Sequence, residues 1–229
     1  MLDFVGTVAT AALMVFVVGT FAVCMEAPRA AKLWFLAGAG LWIGFCAASA
    51  VAGWHALARP FPLIGPYVAA PLLAAALAST FPAARAAMLS VPMPVLIGLN
   101  AGRIFAVLFL LLMAQGRLAG PFPYFAAGGD IITGVAALFV MRLAVADAWR
   151  NRLGIAAWDL FGTADLVLAI ALGVMSAEGS PLQTIHAPPG SEAMQHAPWS
   201  FVPTVLVPFY LVMHAIVWAQ LRRVSHRGK

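Results

Sequence analysis

Seven runs of about 20 mostly apolar residues fill most of this sequence, and short segments with charged or turn-forming residues separate them. A helix of that length crosses the hydrocarbon core of a bilayer, because each residue advances it by about 1.5 Å. The runs cover residues 4–25, 33–53, 63–81, 92–114, 122–143, 154–175 and 201–221. We therefore predict an all-α integral membrane bundle of seven transmembrane helices, forming a single domain over residues 1–229.

Charged residues are too scarce for a water-soluble protein. Asp, Glu, Lys and Arg make up 9% of the 229 residues, whereas a typical soluble domain contains roughly 25%. The hydrophobic share of 63%, grouped into long runs, therefore excludes a soluble globule. The net charge of +5 does not indicate a nucleic-acid partner, because the basic residues lie where membrane orientation requires them.

The positions of the thirteen Lys and Arg residues predict the orientation of the bundle, because cationic loops stay in the cytoplasm. The side that carries the first, third and fifth connections and the tail holds ten of them: Arg29, Lys32, Arg85, Arg142, Arg150, Arg152, Arg222, Arg223, Arg227 and Lys229. The other side holds Arg59 and Arg117. We expect an outside N-terminus, a cytoplasmic C-terminus and a multi-pass location in a bacterial cytoplasmic (inner) membrane.

Prolines leave a six-span alternative open. They interrupt the third and fourth runs at Pro66, Pro71, Pro92 and Pro94. An even number of spans would place both termini on one side, yet the two terminal segments differ sharply in charge. Seven spans is therefore the preferred count.

The longest segment between predicted spans, residues 176–200, lies on the outer side. It contains Pro181, Pro188, Pro189 and Pro198 and has no Lys or Arg. This proline content excludes a regular helix throughout. We expect this outer loop to cap the bundle.

A stripe of small residues follows one face of the second predicted helix. Gly40, Gly44, Ala48 and Ala52 recur at intervals of four and allow another helix to approach closely. We interpret the stripe as a helix-packing surface, either within the bundle or toward a partner protein.

Five ionisable residues fall inside the predicted spans, where charge is costly. Arg103 lies in the fourth helix, Asp130 in the fifth, Asp159 and Asp165 in the sixth, and His214 in the seventh. Such residues are the natural candidates for function, and buried ion pairs that only fix helix register are the main alternative.

Counting residues from the cytoplasmic end of each helix places Arg103, Asp130 and Asp165 at similar depths. A guanidinium offers five donors in a planar fork, so one arginine can hold both carboxylates. Asn100 lies one turn earlier on the same helix face and could add donors. We predict that these four residues form a buried substrate- or ion-binding cluster.

A second pair is predicted from the same count, because Asp159 and His214 lie at matching depth closer to the cytoplasm. We interpret them as a proton-linked pair. Asp159 and Asp165 are six residues apart and therefore point to different faces, which predicts two separate clusters. Pro208 should break the seventh helix just before Tyr210 and His214.

Cofactor and metal motifs are weak. The sequence has two lysines, Lys32 in a loop and Lys229 in the tail, so a retinal Schiff base within the bundle is excluded. His214 lacks a histidine partner at its depth, which argues against haem. The weak metal candidates are His55, His186 and His196 on the outer side, but their spacing matches no zinc pattern. We predict no cofactor and interpret these three as surface histidines.

The C-terminal half also carries a combination of short motifs: Gly129-Asp130, Asn151, Gly162 with Asp165-Leu166, and Pro203 with Pro208 and His214. Together with Asn100 and Arg103, it resembles a group of small, uncharacterised bacterial polytopic membrane proteins. The resemblance implies that Arg103, Asp130, Asp165 and His214 belong to a shared design. It implies no activity.

Three functions are consistent with these residues. The preferred hypothesis is a transporter or sensor of a proton or small solute that uses the buried charged residues. The second is a non-catalytic membrane assembly or partner subunit in which the charges are structural. The third is an intramembrane enzyme or cofactor-binding protein acting on a lipid-like substrate, although an enzyme is the less favoured class.

Overall fold

The computed structural model describes residues 1–57 and 64–227, with side chains through residue 223. These residues contain helices and no strands. The α-helices are α1 Leu2–Cys24, α2 Arg29–Val51, α3 Ile64–Thr80, α4 Pro82–Ser90, α5 Met93–Leu99, α6 Val107–Ala114, α7 Pro121–Asp147, α8 Arg152–Met175 and α9 Val207–Arg227. Arg59, the start of the third predicted span and the side chains of Arg227 and Lys229 lie outside the described residues.

Six helical segments are long and apolar enough to cross a membrane: α1, α2, the composite Met93–Ala114, α7, α8 and Val202–Arg223. The described residues are thus all-helical, as predicted, with several apolar helices of membrane-spanning length. The third predicted run differs from the others, because α3 and α4 meet at an angle of 111° and count as a further span only if taken together. Pro82 is the first residue of α4 and has no N–H for the preceding turn of α3, which explains the break.

Contacts between loops define two ends of the bundle. At the first, Asp3 Oδ1 accepts hydrogen bonds from Arg117 Nη1 at 2.8 Å and from Trp199 Nε1 at 2.7 Å. At the second, the Glu26 backbone N–H donates to Ser90 Oγ at 2.8 Å. Gln220 Nε2 donates to the carbonyls of Leu89 and Val91, on either side of Ser90. We call these the N-terminal end and the C-terminal end.

Residues 176–200 fold back onto the N-terminal end. The short 3₁₀-helix Glu192–Gln195 lies against the 3₁₀-helix Trp54–Ala56. Ser191 Oγ donates to the Gly173 carbonyl at 2.7 Å, and Trp199 is fully buried. The expected absence of a regular helix is confirmed, and the loop covers this end of the bundle.

The composite segment Met93–Ala114 is broken in its middle by a 3₁₀-helix, Asn100–Ala106. Asn100 explains the break, because its Nδ2 donates to the Leu96 carbonyl at 2.9 Å while its backbone N–H bonds to Ile97 and Gly98. The side chain thus takes a carbonyl that an α-helix would give to the backbone. A 3₁₀-helix has three residues per turn, so Asn100, Arg103 and Ala106 share one buried face.

A five-residue π-helix, Val202–Leu206, leads into α9. Pro208 lacks the N–H that would bond to the Thr204 carbonyl, as predicted from the sequence. That carbonyl instead accepts a hydrogen bond from Trp42 Nε1 of α2 at 3.0 Å. The indole therefore compensates for the proline and ties α2 to the start of α9.

Replacing Trp42 with phenylalanine should lower the free energy of unfolding by about 1–3 kcal/mol, because it leaves the Thr204 carbonyl buried without a donor. Thermal unfolding of detergent-solubilised protein measures the change. Trp34→Phe on the same helix is the control, since Trp34 is 78% exposed. Equal melting temperatures for the two variants would contradict this role for Trp42.

The small-residue stripe of α2 faces away from the described part of the chain. Gly40, Gly44, Ala48 and Ala52 are exposed, and a Cβ atom added to either glycine would meet nothing within 4 Å. Packing of this stripe within the bundle, one of the two interpretations above, is therefore wrong. The reason is that α2 contacts the bundle through its opposite face, which includes Trp42 and the buried Cys46.

Candidate functional site

Arg103 holds two carboxylates, as the depth count predicts. Its Nε donates to Asp130 Oδ1 of α7 at 2.6 Å, and its Nη2 donates to Asp165 Oδ2 of α8 at 2.5 Å. Nε and Nη2 form one edge of the guanidinium, so the two acids lie side by side along the fork. The Arg103 side chain is 1% exposed, and this double ion pair is buried between the 3₁₀-helix, α7 and α8.

Glycine makes room for this pair. A Cβ atom on Gly129 of α7 would lie 1.6 Å from Asp165 Oδ1, so no other residue fits there without moving the carboxylate. Gly134, further along α7, lies against the backbone of the 3₁₀-helix, where a Cβ would come within 2.9 Å of Ile104 N. The two glycines let α7 approach both of its partners closely enough for the ion pairs to form.

The second predicted pair is also present. His214 Nδ1 lies 2.8 Å from Asp159 Oδ1, and both side chains are at most 3% exposed. The His214 ring occupies the space beside Gly162, where a Cβ would lie 2.6 Å from Cε1. Gly162 therefore provides the space that the imidazole occupies.

The two pairs form one network, so the expectation of two separate clusters is wrong. Arg103 Nη1 lies 3.2 Å from His214 Nε2 and also donates to the Gly162 carbonyl at 3.3 Å. Asp159 and Asp165 do leave different faces of α8, but the long Arg103 side chain and the imidazole bridge the gap. We call Arg103, Asp130, Asp159, Asp165 and His214 the charged network.

The partners of His214 assign its tautomer. A guanidinium can only donate, so Nε2 of His214 accepts from Arg103. Nδ1 then carries the proton and donates to Asp159. In this arrangement the imidazole is neutral.

One aromatic neighbour of the network is Trp158. Its ring centroid lies 5.1 Å from that of His214, and its Nε1 donates to the Thr133 carbonyl at 3.1 Å. This side chain is buried and holds α8 to α7 beside the imidazole. Sequence reasoning missed Trp158, although its position one residue before Asp159 was a signal that could have identified it.

Two of the predicted site residues, Asn100 and Tyr210, form no side-chain hydrogen bond with the charged network among the described residues. Asn100 gives its donor to Leu96, and Asn100 Oδ1 has no hydrogen-bond partner among the described residues. Its predicted role as a donor to the cluster is therefore not seen. Tyr210 lies with its ring 5.9 Å from Arg103 Cζ, and its buried hydroxyl has no partner within the described part of the chain.

A narrow cavity connects the network with the loop at the N-terminal end. Its volume is about 70 Å³, and its lining is apolar apart from Asp130, Ser191 and Gln195. Ser191 and Gln195 of the loop line one part of it, and Asp130 lines another. A second cavity of about 20 Å³ continues from Asp130 to Arg103 and Tyr210. Asp130, whose side chain is 11% exposed, is thus the network residue that lines both cavities.

The weak metal candidates do not assemble into a site. Within the described residues, no three His, Cys, Asp or Glu side chains could hold a metal ion together. His186 and His196 are exposed, as expected. The prediction that His55 is a surface histidine is wrong, because this residue is 2% exposed. Its ring packs edge-on against that of Tyr67, with the two ring centroids 4.5 Å apart. This burial lowers the pKa of His55.

Comparison with known proteins yields one match. A family model described as a domain of unknown function, DUF8737, matches residues 61–222, well over half of the chain. No curated protein and no solved structure shows significant similarity. The matched range contains every residue of the charged network.

Proposed function

The chain belongs to the DUF8737 family, and we propose that its charged network is the working site of a proton-linked transporter or sensor in a bacterial cytoplasmic membrane. The single observation that carries this proposal is the joining of three buried carboxyl groups, one guanidinium and one imidazole by hydrogen bonds. Series of Asp, Glu and His side chains inside the membrane serve as proton relays in pumps and transporters.

The balance of charge supports proton binding. Three ionised carboxylates against one guanidinium leave two excess negative charges when His214 is neutral. An uncompensated charge buried at this depth costs several kcal/mol. Bound protons on the carboxyl groups, or a small cation taken up with them, remove that cost.

The charged network is more accessible from the N-terminal end than from the C-terminal end, and this difference supports the same proposal. The cavity that starts at Ser191 and Gln195 reaches Asp130 from the N-terminal end. Toward the C-terminal end, Asp159 and His214 are at most 3% exposed and are in direct contact. We propose that Asp130 takes up a proton from this side, and that Arg103, which stays protonated, shifts its hydrogen bonds in response and so transmits the change in charge to His214 and Asp159.

The proposal includes the seven-span topology and its orientation. Ile64 of α3 lines the cavity beneath the outer loop, whereas Ser90 of α4 contacts Glu26 at the C-terminal end. The bent pair therefore runs from one end of the bundle to the other, as a span does. Most of the basic residues lie toward the C-terminal end, which supports a cytoplasmic C-terminus.

A pH titration of tryptophan fluorescence tests the proposal. Protonation of the network should change the emission of Trp158, because its indole packs against His214. We expect a reversible transition in wild-type protein that disappears in Trp158→Phe and shifts or disappears in His214→Gln. Glutamine can still donate to Asp159 and accept from Arg103, so folding should be preserved.

The matched control is His186→Gln, which changes an exposed histidine in the loop. It should leave the transition unchanged, and thermal unfolding should show that all variants remain folded. A proton-flux measurement in liposomes with an enclosed pH-sensitive dye then distinguishes transport from sensing. If His214→Gln keeps every pH response of the wild type, the Asp159–His214 pair has no proton-linked role.

The second candidate function is a membrane assembly or partner subunit, and the outward-facing stripe of α2 favours it. Gly40 and Gly44 present backbone with open space beside it, which is the surface that close helix pairs use. In this case the charged network would only hold α7, α8 and α9 together. The fluorescence titration would then be flat in the wild type.

A further inference from the structure

A large apolar groove lies between α2 and the α3–α4 pair. Its volume is about 810 Å³, more than ten times that of the cavity at Asp130. The floor is a trio of phenylalanines from three helices, with Phe21 of α1 5.3 Å from Phe35 of α2 and 5.4 Å from Phe209 of α9. None of the described residues that line it is charged.

The groove exists because one wall is built of very small side chains. The lining residues of α3 are Ala70, Pro71, Ala74, Ala75 and Ala78. Such side chains are too short to reach α2, which leaves an unfilled gap where protein interiors are otherwise close-packed. An apolar gap of this size between membrane-spanning helices is suited to hydrocarbon chains.

Basic residues flank the groove at the C-terminal end. Ala84 of α4 lines the groove beside the exposed Arg85, and Ala31 of α2 lines it between Arg29 and Lys32. Lys32 Nζ also donates to the Val23 carbonyl at 3.0 Å, at the end of α1. Glu26 follows the lining residue Met25, so the charged residues within two positions of a lining residue at this end are three basic and one acidic.

We propose that this groove is a binding site for a phospholipid with an anionic headgroup. The acyl chains lie over the phenylalanine floor between α2 and α3, and the headgroup lies at the C-terminal end beside Arg85 and Arg29. Basic residues that border apolar clefts between membrane helices recognise lipids in this way. The short helix α4, bent by 111° from α3, presents Arg85 at this end.

The site is separate from the charged network. Pro208, Phe209 and Val212 of α9 line the groove, while Val207 and Tyr210 of the same helix line the small cavity at Arg103. A lipid in the groove therefore touches α9 on the side away from the network. The proposal does not depend on the function of the network.

Native mass spectrometry of the full chain in mild detergent tests the site. The protein is equilibrated with mixed micelles of phosphatidylglycerol and phosphatidylcholine that carry identical acyl chains. We expect the wild type to retain the anionic lipid preferentially. Removing one positive charge in Arg85→Gln should lower that preference roughly fivefold, and Ala75→Phe should reduce retention of both lipids by filling the groove.

Arg150→Gln is the matched control, because Arg150 is also exposed at the C-terminal end but does not adjoin the groove. It should leave lipid retention unchanged. Equal retention of the two lipids by the wild type, or equal effects of Arg85→Gln and Arg150→Gln, would overturn the proposal. So would a stable dimer of the chain that excludes lipid and is lost in Ala75→Phe. Arg85→Gln keeps the test valid if Ala75→Phe fails to fold.

Discussion

Replacing Arg103 with methionine is expected to lower the free energy of unfolding by about 3–5 kcal/mol. Methionine keeps most of the volume of the side chain, so the loss is that of the guanidinium. Asp130 and Asp165 then lose the donors that they accept from at 2.6 and 2.5 Å, and His214 Nε2 loses its neighbour. Thermal or denaturant unfolding in detergent measures the change.

The control for this substitution is Arg117→Met. Arg117 also forms an ion pair, with Asp3 at 2.8 Å, but its side chain is 35% exposed and that of Asp3 is 55% exposed. Exposed pairs contribute at most about 1 kcal/mol. Combining Arg103→Met with Asp130→Asn and Asp165→Asn should recover part of the loss, since the unpaired charges disappear. If Arg103→Met costs no more than Arg117→Met, the network is not a source of stability.

The second large effect is expected for Gly129→Ala, which should cost about 3 kcal/mol and disturb the network. The new methyl group would overlap the carboxyl group of Asp165, whose Oδ1 is 1.6 Å from the position of the added Cβ. The carboxylate must move, and its other oxygen then leaves Arg103. Unfolding measurements report the energy, and the Trp158 fluorescence titration reports the change in the network.

Gly128→Ala is a closely matched control, one residue earlier on the same helix. An added Cβ atom there meets nothing within 4 Å. Alanine is the better helix former, so this variant should be neutral or gain up to about 1 kcal/mol. A similar response from Gly128→Ala and Gly129→Ala would show that Asp165 is not held against α7.

Hydropathy and residue type predict much of this molecule. Six of the seven apolar runs coincide with helices long and apolar enough to span a membrane, because a bilayer imposes a length on any segment that crosses it. Arg103, Asp130, Asp159, Asp165 and His214 could be selected because charge inside such runs is rare and needs partners. Depth along each helix then paired them correctly, since every residue of an α-helix advances it by about the same 1.5 Å.

The connection between the two pairs could not be predicted from depth. It depends on the rotation of each helix about its axis, which packing at Gly129, Gly134 and Gly162 sets. It also depends on the 3₁₀-helix, because three residues per turn give the Arg103 side chain a different direction from the one it would have in a continuous α-helix. Asn100 causes that change through one side-chain hydrogen bond, a local competition that hydropathy does not reveal.

The same competition for the Leu96 carbonyl explains why Asn100 does not donate to the network as predicted. Its place on the same face as Arg103 was correct, but a single side chain cannot give its donor both to the Leu96 carbonyl and to the network. The bend between α3 and α4 lies at Pro82, whereas the prolines predicted to interrupt the third and fourth runs are Pro66, Pro71, Pro92 and Pro94. Proline at the first position of a helix marks a start, whereas proline inside one marks a kink.

The 3₁₀-helix at Asn100–Ala106 also changes how far the chain reaches. A 3₁₀-helix advances by about 2.0 Å per residue and an α-helix by about 1.5 Å. The seven residues therefore make the 22-residue segment Met93–Ala114 about 3–4 Å longer than a continuous α-helix of the same length. This segment, which at 22 residues is one of the two shortest of the six candidate spans, thereby matches a thicker hydrocarbon layer than its residue count alone would allow, and Arg103 lies in the stretched part.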